Sequence, residues 1–120
     1  VVVGVDPEGS IYTAASDDAV TTYLTEGVGE DFWPDTFDRQ IVDEWEIVTD
    51  VEAFSMTRRL VLEEGILAGA SCGMALVGAM RAADRHPDEL VVVVLPDSGR
   101  NYLSKVFNDE WLAEQGIDIA

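Results

Sequence analysis

One cysteine, one histidine and one lysine are all that the 120 residues offer of these three reactive side chains. The lone Cys72 excludes an internal disulfide. One cysteine with one histidine makes no zinc site, so no metal-ligating set is expected. Basic residues are few in general: 7 Lys and Arg stand against 24 Asp and Glu, a formal charge of −17 at pH 7. That excess repels phosphate backbones and anionic lipid headgroups, which argues against nucleic acid or a membrane surface as partner. No apolar run approaches the roughly 18–20 residues of a membrane helix. An acidic, lysine-poor chain suits a high-salt cytoplasm, where screening relieves self-repulsion, and equally an ordinary acidic protein. A cytoplasmic location is the expectation in both cases.

What is present is enough apolar material for a packed core. Hydrophobic residues make up 48% of the chain, which excludes disorder over its whole length, and 120 residues suit one small domain or part of a larger one. Val1-Val2-Val3-Gly4-Val5 reads as a strand apolar on both faces, as interior strands of parallel sheets are. An interior strand needs neighbours, so the chain is expected to be a piece of a longer polypeptide. Asp6-Pro7-Glu8-Gly9-Ser10 is a turn by composition. Residues 13–40 read as irregular, and a loop of that length in a compact domain is usually functional; residues 42–48 suit a short extended stretch. Thr49 and Glu52 form a T-x-x-E capping box, Phe54, Thr57, Leu60 and Val61 follow at helical spacing, and Gly65 is a natural C-cap. On that helix Arg58, Arg59, Glu63 and Glu64 are expected mostly outward.

A second helix, rich in Ala and Gly, is expected over 74–85, since small residues let a helix lie close on a sheet. Residues 90–95 are all apolar and read as a second buried strand, ended by Pro96-Asp97-Ser98. Short helices or turns are expected over 101–107 and 109–115, the last anchored by Trp111 and Leu112. Strands separated by helices give an α/β class with a parallel sheet.

Three strings carry chemistry. Gly69-Ala70-Ser71-Cys72-Gly73 is a glycine-bounded turn with a serine at the start of a helix, able to offer a hydroxyl and free amides to a ligand; equally, Ser is a favoured N-cap. It also fits the G-x-S-x-G pattern of serine hydrolases, but the one candidate base, His86, lies near the far end of the same helix. Gly27-x-Gly29 is too short for a dinucleotide fingerprint. Leu95-Pro96-Asp97-Ser98 stands at the carboxyl end of a parallel strand, where open α/β sheets bind ligands. Cys72 reads as a small buried thiol, His86 as a solvated helix-end histidine, and Glu63 with Glu64 as a solvated face.

In order along the chain, Val3-Gly4-Val5-Asp6-Pro7-Glu8-Gly9-Ser10, Glu26-Gly27-Val28-Gly29-x-Asp31-Phe32-Trp33-Pro34, Glu64-Gly65-Ile66-Leu67 with Gly69-x-Ser71-x-Gly73, and Leu95-Pro96-Asp97-Ser98-x-Arg100-Asn101-Tyr102 with Lys105 and Asp109-x-Trp111 resemble the cystathionine β-synthases over nearly the whole length. The cysteine synthases (O-acetylserine sulfhydrylases) resemble it more loosely. The resemblance implies part of the large domain of a fold-type-II pyridoxal-phosphate enzyme, the C-terminal part of its catalytic domain spanning residues 1–120, with a parallel sheet flanked by helices. It implies that Ser71 hydrogen-bonds the pyridine nitrogen of pyridoxal 5'-phosphate, that Gly27 and Gly29 border the cofactor ring and substrate, and that Pro96 and Asp97 lie near the pyridine edge. Glu30 stands where some members carry Tyr, so the role of that Tyr is not carried over. The implied reaction is a lyase-type β-replacement: serine and homocysteine give cystathionine and water, within transsulfuration. A full-length homodimer is implied as well. The lysine that forms the family's Schiff base lies upstream of the matching region, and Lys105 matches a different string. No catalytic residue is therefore assigned to this chain, which is expected to be inactive alone. The other readings are a cysteine synthase using O-acetylserine and sulfide, and a non-catalytic α/β domain whose Ser71 loop holds another anion.

Overall fold

The computed structural model describes residues 1–119. Its sheet has two strands, β1 (Val3–Pro7) and β2 (Glu44–Val48), paired in parallel with Val3 opposite Glu44 and Pro7 opposite Val48. Three α-helices follow: α1 (Asp50–Glu64), α2 (Ala70–Arg85) and α3 (Asp109–Glu114), with single 3₁₀ turns at Asp17–Ala19 and Gly99–Tyr102. The parallel α/β class is as the sequence implies, but one strand is not where it was expected. Residues 90–95 carry no regular secondary structure and pair with no strand, and Leu90, Val92 and Val94 are 92%, 79% and 75% exposed. A strand exists only through a ladder to a neighbour about 4.8 Å away. Here an open groove separates this run from the free edge of β1. The second strand is instead the 42–48 stretch, trimmed to Glu44–Val48.

Helix α1 begins where its capping box does. Thr49 Oγ1 accepts from the Glu52 amide at 3.3 Å, and Glu52 Oε2 accepts from the Thr49 amide at 3.0 Å, so two of the orphan donors at this helix start are satisfied. Gly65 closes the helix in the left-handed conformation. Ala53, Phe54, Thr57 and Leu60 form its buried face. Burying a side chain such as Phe54 stabilises by about 1.5–3 kcal/mol. Arg58 does not point outward as expected: its Nε donates to the Val106 carbonyl at 2.7 Å and a terminal nitrogen meets Asp109 at 2.6 Å, tying α1 to the start of α3. There Asn108 caps α3 by accepting from Glu110 and Trp111.

Helix α2 starts earlier than the small-residue pattern indicates. Its N-cap is Gly69, and Ser71 is the second residue of its first turn. The glycines explain its position. A Cβ on Gly73 would overlap Thr57 Oγ1 and the Ala53 carbonyl and sit 2.7 Å from the Thr57 amide nitrogen, and one on Gly78 would strike Val5. So α2 lies against the α1 backbone on one side and against β1 on another. Arg81 and Arg85 at its far end pair with Glu52, Glu44 and Glu46, fastening the helix to β2 and to the start of α1.

The 13–40 loop, though irregular, packs against Tyr12 and β2. Tyr12 stacks on Phe37 at 4.5 Å, Trp33 and Trp45 flank the pair, and the Arg39 guanidinium lies over the Trp33 ring. Asp50 accepts from the amides of Leu24 and Thr25 and from the Thr25 hydroxyl, which moors the loop to α1.

Two substitutions test this packing. Gly73→Ala forces the α1 main chain away and is expected to destabilise the protein by about 1–3 kcal/mol in denaturant unfolding. Thr49→Ala removes one side of the capping box and is expected to cost about 1 kcal/mol by the same measurement.

Candidate functional site

The groove between β1 and the 90–95 run has a volume of about 430 Å³. Its floor is the small-residue face of α2, with Ala75, Ala79 and Ala82, and Val3 and Val5 of β1 form one wall. Ser71, Val28, Met74 and Pro96 gather at one end; His86 and Glu89 lie at the other. Those ends are separated by the length of α2, roughly 1.5 Å per residue over its 16 residues. The separation rules out a Ser71–His86 couple of hydrolase type. His86 instead faces Glu44 at 3.2 Å and Glu89 at 3.9 Å, so it is less solvated than the sequence implies.

Ser71 is 7% exposed and sits in the first turn of α2, whose Gly69 cap provides no side-chain acceptor. The hydroxyl therefore does not act as the helix cap, as its position in the string had indicated, and its Oγ contacts only Asp97 Oδ1 among the described residues, at 3.5 Å. That separation is beyond an ordinary O–H···O bond.

Asp97 is brought beside Ser71 by a crossing of two segments. The Gly99 amide donates to the Leu67 carbonyl at 3.1 Å, and Ala68 bridges Ser98 in antiparallel fashion. The chain thus passes directly over the Gly69 cap. A Cβ on Gly69 would overlap the Asp97 carboxylate and stand 2.7 Å from the Tyr102 ring, so only glycine fits here. Asp97 Oδ2 accepts from the Tyr102 hydroxyl at 2.7 Å, and Cys72 Sγ approaches Oδ1 and the Asp97 carbonyl at 3.4 Å. Held against this carboxylate, the Tyr102 phenol is pushed up to about 12. Burial pushes the Cys72 thiol up, in keeping with an inert, enclosed sulfur.

The two loop glycines reach the groove indirectly. Both have positive φ, 76° at Gly27 and 61° at Gly29, a conformation that presents Val28 to the groove. Gly29 is also pressed against Tyr23 Oη, Pro7 and Ser10, whose hydroxyl accepts from the Glu30 amide at 3.2 Å. Of the five residues singled out from sequence, Ser71 and Pro96 line the groove, Gly27 and Gly29 shape the loop that sends Val28 into it, and Asp97 lies behind Ser71. Two participants went unassigned at the sequence level. Val28 is an ordinary apolar residue between the two glycines, and Tyr102 acquires its part only through its bond to Asp97. The signal for Tyr102 is the Ser98-Gly99 turn three to four residues before it, which folds the ring back onto Asp97. Lys105 is not among the groove residues; its ammonium pairs with Glu26.

At its Ser71 end the groove offers apolar faces from Val28, Met74 and Pro96, one neutral hydroxyl and no bare carboxylate. That donor set fits a flat heteroaromatic ring with a basic nitrogen directed at Ser71.

Comparison with known proteins gives the same direction. The family model described as "Pyridoxal-phosphate dependent enzyme" matches residues 1–97. A rabbit (Oryctolagus cuniculus) protein named cystathionine beta-synthase is 44% identical over 120 residues, covering 97% of this chain and 22% of that protein. The solved O-acetylserine dependent cystathionine beta-synthase from Helicobacter pylori superposes with a TM-score of 0.77 at 38% identity, covering 86% of this chain and 33% of that one. A cysteine synthase from Entamoeba histolytica reaches the same TM-score at 28% identity over 86% of this chain and 30% of its own. The chain thus spans about a fifth of the length of its curated relative and a third of the solved ones. A family model matched over four fifths of the sequence, together with the fold shared with both solved structures, shows that this chain belongs to the pyridoxal-phosphate dependent enzymes and has their fold-type-II architecture.

Proposed function

We propose that these residues are the C-terminal part of the catalytic domain of a β-replacing lyase that joins serine to homocysteine, giving cystathionine and water. The observation that carries this reading is Ser71: a neutral hydroxyl, 7% exposed, at the sheet end of an apolar groove. Pyridoxal phosphate, when bound, supplies the electron sink that lets an amino acid lose its α-proton and its β-substituent. In this reading Ser71 meets the ring nitrogen, Val28 and Pro96 pack on the ring, and the Gly27–Gly29 loop borders ring and substrate. A hydroxyl at the nitrogen holds less positive charge there than a carboxylate would. That suits an elimination and addition at the β-carbon, which needs only modest stabilisation of charge. The 37–45% identity to proteins named cystathionine beta-synthase supports this chemistry. A larger sheet is supported by the free edge of β1 and the unpaired 90–95 run facing each other across the groove.

A second reading keeps the cofactor and changes the leaving group. The Helicobacter pylori relative is described as O-acetylserine dependent, which favours acetate over water as the group expelled. Product analysis of the full-length protein separates the readings. Serine with homocysteine is expected to yield cystathionine; turnover confined to O-acetylserine overturns serine as the substrate, and turnover confined to O-acetylserine with sulfide points to a cysteine synthase.

The chain by itself contains a single lysine, already paired with Glu26 and outside the groove. A covalent anchor for the cofactor therefore has to come from elsewhere in the parent protein. The 120-residue polypeptide mixed with pyridoxal phosphate and dialysed is expected to retain no visible-range absorbance. A stable yellow product would contradict this. In the full-length protein, Ser71→Ala is expected to lower kcat/KM about 10- to 100-fold, the range for one lost hydrogen bond to a group of changing charge.

A further inference from the structure

The Ser71 hydroxyl has one proton and two places to put it, into the groove or onto Asp97. A carboxylate is the stronger acceptor, so an unengaged Asp97 would take that proton. Ser71 would then turn lone pairs toward the groove and act as an acceptor. The structure shows Asp97 already engaged. Its Oδ2 holds the Tyr102 hydroxyl at 2.7 Å, at the mode for O–H···O bonds, while Ser71 remains 3.5 Å from Oδ1. Oδ1 lies against Gly69 and the Cys72 sulfur, and the Tyr102 bond to Oδ2 holds the carboxylate in the orientation that leaves it short of Ser71. No arginine, lysine or histidine is among its hydrogen-bond partners in the described residues.

We propose that Tyr102 is a positioning residue for Ser71: by holding the Asp97 carboxylate through Oδ2 it keeps Oδ1 out of close reach of Ser71 and leaves the Ser71 proton directed into the groove, so that Ser71 meets the ring nitrogen as a donor. The inference rests on the reading of Ser71 given above and extends it to the residue that sets the direction of that hydrogen bond. A donor at this place favours the unprotonated ring nitrogen; an acceptor favours the protonated one. The raised ionisation of the phenol agrees with a strong bond to Asp97.

The test is nitrogen-15 NMR of the full-length holoenzyme loaded with pyridoxal phosphate labelled at the ring nitrogen. The wild-type signal is expected at its unprotonated position. Tyr102→Phe frees Asp97, and the signal is expected to move toward the protonated position, with about a tenfold rise in protonated fraction at fixed pH. Adding Asp97→Asn to that variant is expected to return it, since a neutral amide oxygen is a weaker acceptor than a carboxylate and competes less for the serine proton. A Tyr102→Phe signal identical to wild type, or a wild-type ring already protonated, overturns the proposal. Ser71→Ala separates the two levels: if it leaves the wild-type signal unmoved, Ser71 does not meet the ring and the functional reading itself fails. Should Tyr102→Phe not fold, absorbance titration decides. The Tyr102 phenol is expected to ionise near 12 in the wild type and closer to 10 in Asp97→Asn. Ionisation near 10 in the wild type overturns the proposal.

Discussion

The close seating of α2 is the constraint on which the rest depends. Two glycines, Gly73 and Gly78, let the helix touch the α1 backbone and the Val5 side chain, with no room for a methyl group at either place. A helix held so tightly on two sides has little freedom to slide or rotate. Its first turn therefore carries Ser71 to one defined spot beside β1, with the alanine face left over as the groove floor. Interiors are close-packed, so a displacement at either glycine would be transmitted to Ser71 rather than absorbed.

A second layer stands behind that spot. The crossing of residues 66–68 under 98–99 places Asp97 against the α2 N-terminus, and the turn after it returns Tyr102 to the carboxylate. The site is thus stacked outward from the groove: Ser71, then Asp97, then Tyr102. Each member is fixed by backbone as much as by side chain. Arranged in this way, supporting groups can set the character of a first contact without touching the ligand.

The helices were legible in the sequence because their signals are local. The Thr49–Glu52 box, the 3.6-residue spacing of Phe54, Thr57 and Leu60, and the Gly65 stop all act within a few residues, and α1 runs between them as read. Strand identity is non-local, which is why it failed at 90–95. That run has the composition of a buried strand, yet composition does not provide the partner that makes one. The weaker 44–48 stretch became a strand because β1 lies beside it. The same distinction holds in the site. Ser71, Pro96 and the two glycines were visible as strings, whereas the Arg58 link to Val106 and the Tyr102 bond to Asp97 come from tertiary neighbours or from a fold-back that a string does not reveal.

The exposed valine row also governs colloidal behaviour. Six valines and leucines in succession, free of glycine and proline and with their main-chain groups unpaired, form a template for edge-to-edge growth between molecules. Asp88 and Glu89 on one side and Asp97 on the other act as gatekeepers, and the net charge of −17 adds long-range repulsion. Acid or concentrated salt weakens both defences together. The conditions that hold this polypeptide apart as single molecules are therefore dilute, neutral and low in salt, although its acidic composition alone would suggest a tolerance of brine.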